Sequence, residues 1–342
     1  MRRARNSFLY FEPQHRDDAG SDGAANCRLW KRANGRISLK PPDSSSHDTP
    51  PRIAIVLNVR SGRRRRNAHS RLVGLLFDHG IHAQIFAAAN GAAVRAAAEQ
   101  ASERDFEVLV AAGGDGTAGT VAGVAAKAGK TLGVLPLGTF NHFAKDLGIS
   151  TDLVTAVATL QSPKTACVDL ATVNGHSFVN TSGIGLYPRL VLEREHYRRS
   201  GLAWGLAFVS AAWNTLREFR PVNLRLNARG HELAGYTPFV FVGNNPYALE
   251  RGRLGARTAI DEGVLWIATT FETNRWRFLK LAITVVLGRL DRSHDLHMIT
   301  TDELRVDSSH SRLFVSIDGE VEMMRTPLLY KVHHRALRVI VP

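Results

Sequence analysis

The chain has 342 residues, 44% apolar and 22% charged, with 29 Gly and 13 Pro. That balance excludes a largely disordered protein, a collagen-like repeat and a disulfide scaffold, and the length allows two domains. Forty-four Lys and Arg against 31 Asp and Glu give a formal charge of +13, which draws the molecule toward polyanions: nucleic acid, anionic membrane or nucleotide phosphates.

Residues 1–50 mix charge, Gly, Ser and Pro without periodicity and end in PPDSSSHDTPP, the composition of a disordered extension. The opening MRRARNSFLYFEP holds only five residues, Ser7 to Phe11, that resemble an apolar core. A secretory signal needs roughly 7–15, so none is expected. Cys27 lies in this polar stretch, far from Cys167, and no structural bridge between them is expected; a reducing, cytoplasmic compartment follows as the expectation.

From Arg52 the texture changes. RIAIVLNV reads as a buried strand, SGRRRRN as a turn, and Ser70 to Asp78 as an apolar-periodic helix. IHAQIFAA, FEVLVAAG and TLGVLPLG are further strands, with GAAVRAAAEQAS a helix between the first two. Strands alternating with helices predict an open parallel sheet with right-handed crossovers. Past residue 163 the alternation weakens. CVDLATVNGHSFVNTS predicts a hairpin turning on Asn174-Gly175, and VNLRLNARGHELAGY another on Arg229-Gly230. PFVFVGNN, GVLWIATT, ELRVDS and LFVSIDGE continue the short-strand pattern of an antiparallel β domain. The expected organisation is an α/β domain over 51–163, which residues 321–342 could complete, and a β-rich domain over 164–320.

Two stretches invite comparison with membrane spans. Ser200 to Leu216 is uncharged, but Leu202, Leu206, Val209, Trp213 and Leu216 recur on one helix face. Leu281 to Gly288 is far shorter and is flanked by Lys280 and Arg289. Both fall short of the roughly 20 apolar residues a spanning helix requires; core helices or segments dipping into a membrane surface remain. Arg194, Arg198 and Arg199 could meet anionic head groups, and His333-His334 is expected as a surface pair.

Three loops carry chemistry. Ala111-Ala112-Gly113-Gly114-Asp115-Gly116-Thr117 leaves a strand and opens a helix. Its glycines allow a phosphate close to the backbone, and the N–H groups and dipole at the helix start favour an anion. Asp115 places a carboxylate in that anion-friendly turn, which suggests a balancing Mg²⁺ or a bound hydroxyl. Leu135 to Lys145 forms a second strand-to-helix loop bearing Thr139 and Asn141, and Asn58 to Arg63 a third. In an open parallel sheet such loops gather at one edge, where ligands bind. The P-loop ending is absent from them.

These residues resemble the diacylglycerol kinase catalytic family, specifically the soluble bacterial lipid kinases related to sphingosine kinases. AAGGDGT and PLGTFNHFAKDLGI are similar to its nucleotide loops, and FVNTSGIGLYPRLV, FVGNNPYALERGRLGARTAIDEGVLWI and SIDGE follow in register to the C-terminal region. The resemblance implies a nucleotide-binding α/β domain and an antiparallel β-sandwich, with ATP-dependent phosphorylation of a lipid hydroxyl in the cleft. It implies that Asn58, Ser61, Gly62, Arg63, Gly113, Gly114, Asp115, Gly116, Thr117, Thr139 and Asn141 hold ATP. Asp115 and Asp169 would join a catalytic Mg²⁺ network, and Ala259, Glu262 and Val264 a separate structural Mg²⁺ site. Glu320 would be the general base, with Asp115 the alternative. The chain departs from the family pattern at His142 (commonly Asp), Val59 (Pro), Ala87 (Thr) and Trp266 (Asp). The expected partners are a diacylglycerol-like or sphingoid lipid and, peripherally, an anionic membrane, but no nucleic acid. An NAD kinase, which shares the GGDG turn, and a non-catalytic nucleotide or anionic-lipid sensor are the competing readings; the sequence leaves the oligomeric state open.

Overall fold

The computed structural model describes residues 51–61, 68–199, 213–214, 217–248, 256–286 and 296–342, and two short strands before them. Gly62, Arg63, Cys27, Arg289 and nearly all of the Ser200–Leu216 stripe lie outside the described residues, as do the side chains of Arg194, Arg198 and Arg199. The two short strands, β1 (Arg32–Ala33) and β2 (Arg36–Ile37), pair antiparallel with each other.

The α/β part runs β3 (Ile53–Asn58), α1 (Ala68–Asp78), β4 (Ala83–Ala88), α2 (Gly91–Ser102), β5 (Val108–Gly113), α3 (Asp115–Lys127) and β6 (Thr131–Pro136). Short helices α4 (His142–Asp146) and α5 (Leu153–Thr159) follow. Strands β6-β5-β3-β4 are all parallel. Their apolar runs are buried on both faces, as helix-covered parallel strands require: Ala54 to Leu57 and Leu109, Val110 and Ala112 are essentially inaccessible. The expected parallel sheet is present.

That sheet does not stop there. The last strand, β18 (Leu328–Ile340), runs parallel to β6 at Val339↔Leu132. It also pairs antiparallel with β7 (Thr165–Val173) and, through its first residues, with β15 (Glu303–Ser308). Beyond β15 come β10 (Val222–Ala228) and β11 (His231–Thr237), giving ten strands with the short β8 (His176–Phe178), which pairs with β7. A second, wholly antiparallel sheet holds β9 (Thr181–Gly185), β12 (Phe239–Asn244), β13 (Leu265–Thr269), β14 (His297–Thr301), β16 (Arg312–Ile317) and β17 (Glu320–Arg325). Val173, Leu224, Leu226, Val306 and Tyr330 from the first sheet pack with Ile184, Val240, Val242, Ile267 and Val315 from the second in one buried core. The antiparallel sandwich is therefore present. Helices α6 (Leu186–Arg199) and α7 (Arg275–Val286) complete the order. No helix among the described residues is long and apolar enough to cross a membrane.

The two expected hairpins form, and a third joins β16 to β17. Asn174-Gly175, Arg229-Gly230 and Asp318-Gly319 each turn between directly paired residues with both φ values positive, the I′ geometry whose twist matches the flanking strands. The histidine pair is more than surface: β18 bulges between His333 and Leu337, and there His334 Nδ1 lies 3.0 Å from Asp169 Oδ1.

Candidate active site

The three expected loops meet at the carboxyl ends of β3, β5 and β6. Leu137 N–H donates to the Gly113 carbonyl at 2.9 Å, and Asn58 Nδ2 donates to Thr117 Oγ1 at 3.0 Å. A Cβ on Gly138 would lie 2.5 Å from Gly114 Cα, so the second and first glycine turns touch backbone to backbone. Asn141, left-handed at φ 52, closes its own loop by accepting from Gly138 N–H and donating to the Gly138 carbonyl. Thr139 stands exposed at the tip, and Ser61 N–H donates to the Asn58 carbonyl. The first N–H groups of α3 start this surface, where the helix dipole favours an anion.

Helix α3 has a bare stripe, Gly116, Gly119 and Gly123, at spacings of three and four that share a face. Onto it fold the β16–β17 hairpin and strand β8. A Cβ on Gly116 would lie 2.7 Å from Glu320 Oε1, one on Gly119 2.5 Å from Asp318 Oδ2, and one on Gly123 2.3 Å from Ser177 Oγ. Glu320 Oε2 would also lie 3.2 Å from a Cβ on Gly91. The Glu320 carboxylate thus sits at the first turn of α3, beside the loops, although the residue keeps an exposed edge. Burial of that carboxylate, with the charge of Glu322 second, raises its pKa above the ordinary glutamate value.

Asp115 is held from three sides. Its Oδ1 accepts from Phe143 N–H and Asn180 Nδ2, both at 3.0 Å, and its Oδ2 from His142 N–H at 3.2 Å. Asp318 is half-buried and accepts three backbone N–H groups, from Val179, Asn180 and Thr181. Desolvation outweighs those donors and, with the Asp115 charge, pushes its pKa up to about 7. Asp169, 1% exposed, accepts from Gly263 N–H and Arg335 N–H and faces His334. Its carboxylate thus faces the 260–263 loop and the β18 bulge, and none of its described hydrogen bonds reaches Asp115. In that loop Asn245 N–H donates to the Val264 carbonyl, Asn245 Oδ1 accepts from Glu262 N–H, and Ala259 is buried.

This donor pattern tests a protein-held Mg²⁺. No group of three or more His, Cys, Asp or Glu among the described residues is arranged to hold a metal ion. The oxygens of Asp115, Asp169 and Asp318 already face N–H donors, which a directly bound cation would have to displace. Asp115 Oδ2, with one described donor, retains acceptor capacity and fits contact through a metal-bound water. Sequence reasoning assigned no role to Asn180, Asp318 or Arg257. All three lie inside quoted motifs, Asn180 in FVNTSGIGLYPRLV, Arg257 in FVGNNPYALERGRLGARTAIDEGVLWI and Asp318 in SIDGE, so the signal was a polar or charged residue within a strand, loop or turn.

Comparison with known proteins agrees with this architecture. The diacylglycerol kinase catalytic domain matches residues 52–173, and the YegS C-terminal NAD kinase β-sandwich-like domain matches residues 193–341. A diacylglycerol kinase of Bacillus subtilis (strain 168) is 27% identical over 296 residues, 85% of this chain and 96% of the relative. One of Staphylococcus aureus (strain JH9) is 27% identical over 179 residues, a match that spans 52% of this chain and 56% of that protein. The crystal structure of a diacylglycerol kinase from Bacillus anthracis str. Sterne superposes with a TM-score of 0.60 at 16% identity, covering 85% of this chain and 97% of that one. Matched in order, the two models show that the chain carries a diacylglycerol kinase catalytic domain followed by a YegS C-terminal NAD kinase β-sandwich-like domain.

Proposed function

We propose that the protein is an ATP-dependent lipid kinase that phosphorylates a hydroxyl of diacylglycerol or a similar lipid. The observation that carries this reading is the Glu320 carboxylate against the start of α3, beside three converging anion-friendly loops. The lipid oxygen attacks the γ-phosphorus, the bond from that phosphorus to the β,γ-bridging oxygen breaks, and ADP leaves. Glu320 takes the hydroxyl proton, a role suited to a carboxylate of raised basicity. Asn58, Ser61, Gly62, Arg63, Gly113 to Thr117, Thr139 and Asn141 bind the nucleotide phosphates, chiefly through backbone N–H groups and short polar side chains. Asp115 would hold a nucleotide-borne Mg²⁺ through water, which would supply neutralisation of charge on the phosphates. Asp169 acts at longer range, by fixing the 260–263 loop with Ala259, Glu262 and Val264.

The lipid is reached at a membrane surface. Helix α7 supports this: Phe278 packs on Phe219 and Phe239 and Leu281 is buried, while Trp276, Lys280 and Ile283 are exposed at spacings of four and three. Arg275 and Arg277 flank that face, an arrangement suited to anionic head groups. In this reading the protein works in the cytoplasm, peripheral to the bilayer.

The test is incubation of purified protein with labelled ATP, Mg²⁺ and vesicles containing diacylglycerol or other hydroxyl lipids. A labelled lipid is expected from the wild type and not from Glu320→Gln. No labelled lipid across a broad panel overturns the reading, and phosphorylation of NAD in a parallel reaction would replace it.

A further inference from the structure

One buried cation joins the two halves of the site and has no place in the chemistry above. The Arg257 side chain is only 2% exposed. Its Nε and Nη2 donate to Asp146 Oδ2 at 2.7 and 2.6 Å, on the last residue of α4. Nη2 also donates to Asn180 Oδ1 at 3.0 Å, and Nη1 donates to the Val179 carbonyl and, at 3.4 Å, to the Asn244 carbonyl. The guanidinium carbon lies 5.9 Å from the centre of the Phe143 ring. One planar fork therefore engages the helix after the second glycine loop, the segment entering β9 and the end of β12.

The consequence runs through Asn180. Its side chain can present the carbonyl or the amino group in either direction, and the difference decides whether it attracts or repels Asp115. Arg257 only donates, so Asn180 must turn Oδ1 toward it. That leaves Nδ2 facing Asp115 Oδ1, at 3.0 Å. Asp115 in turn accepts the His142 and Phe143 N–H groups that begin α4. The ring closes through α4 itself, because Asp146 at its far end returns to Arg257. The fork matters as well as the charge: a lysine ammonium lacks the rigid set of donors that meets Asp146 and Asn180 together.

We propose that Arg257 is a positioning residue for phosphoryl transfer: with Asp146 it orients the Asn180 amide, and so holds Asp115 and the second phosphate loop in register with the hairpin that carries Glu320. The inference deepens the lipid-kinase reading, on which its kinetic consequence rests; its structural consequence does not depend on that reading.

The experiment measures hydrogen exchange, residue by residue, in the full chain as wild type, Arg257→Lys and Asp146→Asn, together with lipid phosphorylation by each. The amides of His142 and Phe143 should exchange at least about tenfold faster in both variants, the change expected when a hydrogen bond to a charged group is weakened. Exchange in β12 and β16 should not change. The kcat for lipid phosphorylation should fall by about tenfold to a hundredfold, as misplaced reacting groups do, while KM for the lipid stays the same. Unchanged exchange at the two amides overturns the proposal, as does exchange raised equally across β12 and β16, which marks general loosening. If the wild type phosphorylates no lipid, the kinase reading fails while the exchange data still decide the role of Arg257. If lipid is phosphorylated and Arg257→Lys keeps its wild-type kcat, the kinase reading stands and the positioning role is lost.

Discussion

Glu320 is the residue on which the chemistry turns, and its surroundings make its behaviour testable. Replacing the base while keeping its shape, Glu320→Gln, should lower kcat by about 10²- to 10⁴-fold, the range of general-base catalysis, with ATP binding retained in a fluorescent-nucleotide titration. Burial and the Glu322 charge raise the pKa of this carboxylate, and the base works only when ionised. Activity should therefore rise with pH through a value above the ordinary glutamate pKa of about 4.3. Glu322→Gln removes the second cause, so the acid limb of kcat/KM should move to lower pH; an unmoved limb would show that Glu322 does not act on Glu320. The same shift has a stability counterpart. The folded state binds this proton more tightly than the unfolded chain, so the contribution of Glu320 to stability falls as pH rises between the two pKa values. The acid of SIDGE was legible through the resemblance, and the structure places it directly after the Asp318-Gly319 turn of one hairpin. The oxygens of Asp115 and Asp169 were not legible in the same way: Asp115 accepts from residues 27, 28 and 65 positions away, and Asp169 from residues 94 and 166 positions away.

At the scale of elements, the glycine face of α3 and the β16–β17 hairpin form one mechanical unit. An alanine in a helix interior is ordinarily favoured over glycine by about 1 kcal/mol. At Gly119 and Gly123 the added carbon would lie 2.5 and 2.3 Å from Asp318 Oδ2 and Ser177 Oγ, and Asp318 is pinned by three N–H groups. Overpacking of this kind costs about 1–3 kcal/mol, so Gly119→Ala should destabilise the protein despite its better helix propensity. Urea unfolding measures the sign, and a stabilised variant would mean that the hairpin can retreat. Gly319, at φ +85, has nothing near its missing Cβ, so backbone strain alone decides there. Gly319→Val should cost about 1–2 kcal/mol, the penalty of the left-handed region for a residue with a Cβ. Periodicity and turn dipeptides revealed these elements one at a time; the contact of a helix near residue 119 with a turn near residue 318 has no local signature.

Across the whole molecule, β18 is the member that both halves share. It pairs with β6, β7 and β15, and it buries Tyr330 in the sandwich and Leu337 and Val339 in the α/β core. A chain ending at Pro327 would leave three strand edges unpaired and open both cores. It should show no cooperative thermal transition by circular dichroism, whereas removal of residues 1–50 should leave the transition in place. The alternation of strands and helices in the first half, the glycine turns, the positions of the phosphate loops and the antiparallel character of the second half were determined by sequence, because each depends on residues within a few positions of one another. Tertiary structure alone decided which acids are already satisfied by N–H groups, which glycines admit a carboxylate, and that Arg257 reaches both Asp146 and Asn180. Those outcomes depend on distances between segments 27 to 166 residues apart and more, and such distances are set by how sheets and helices pack.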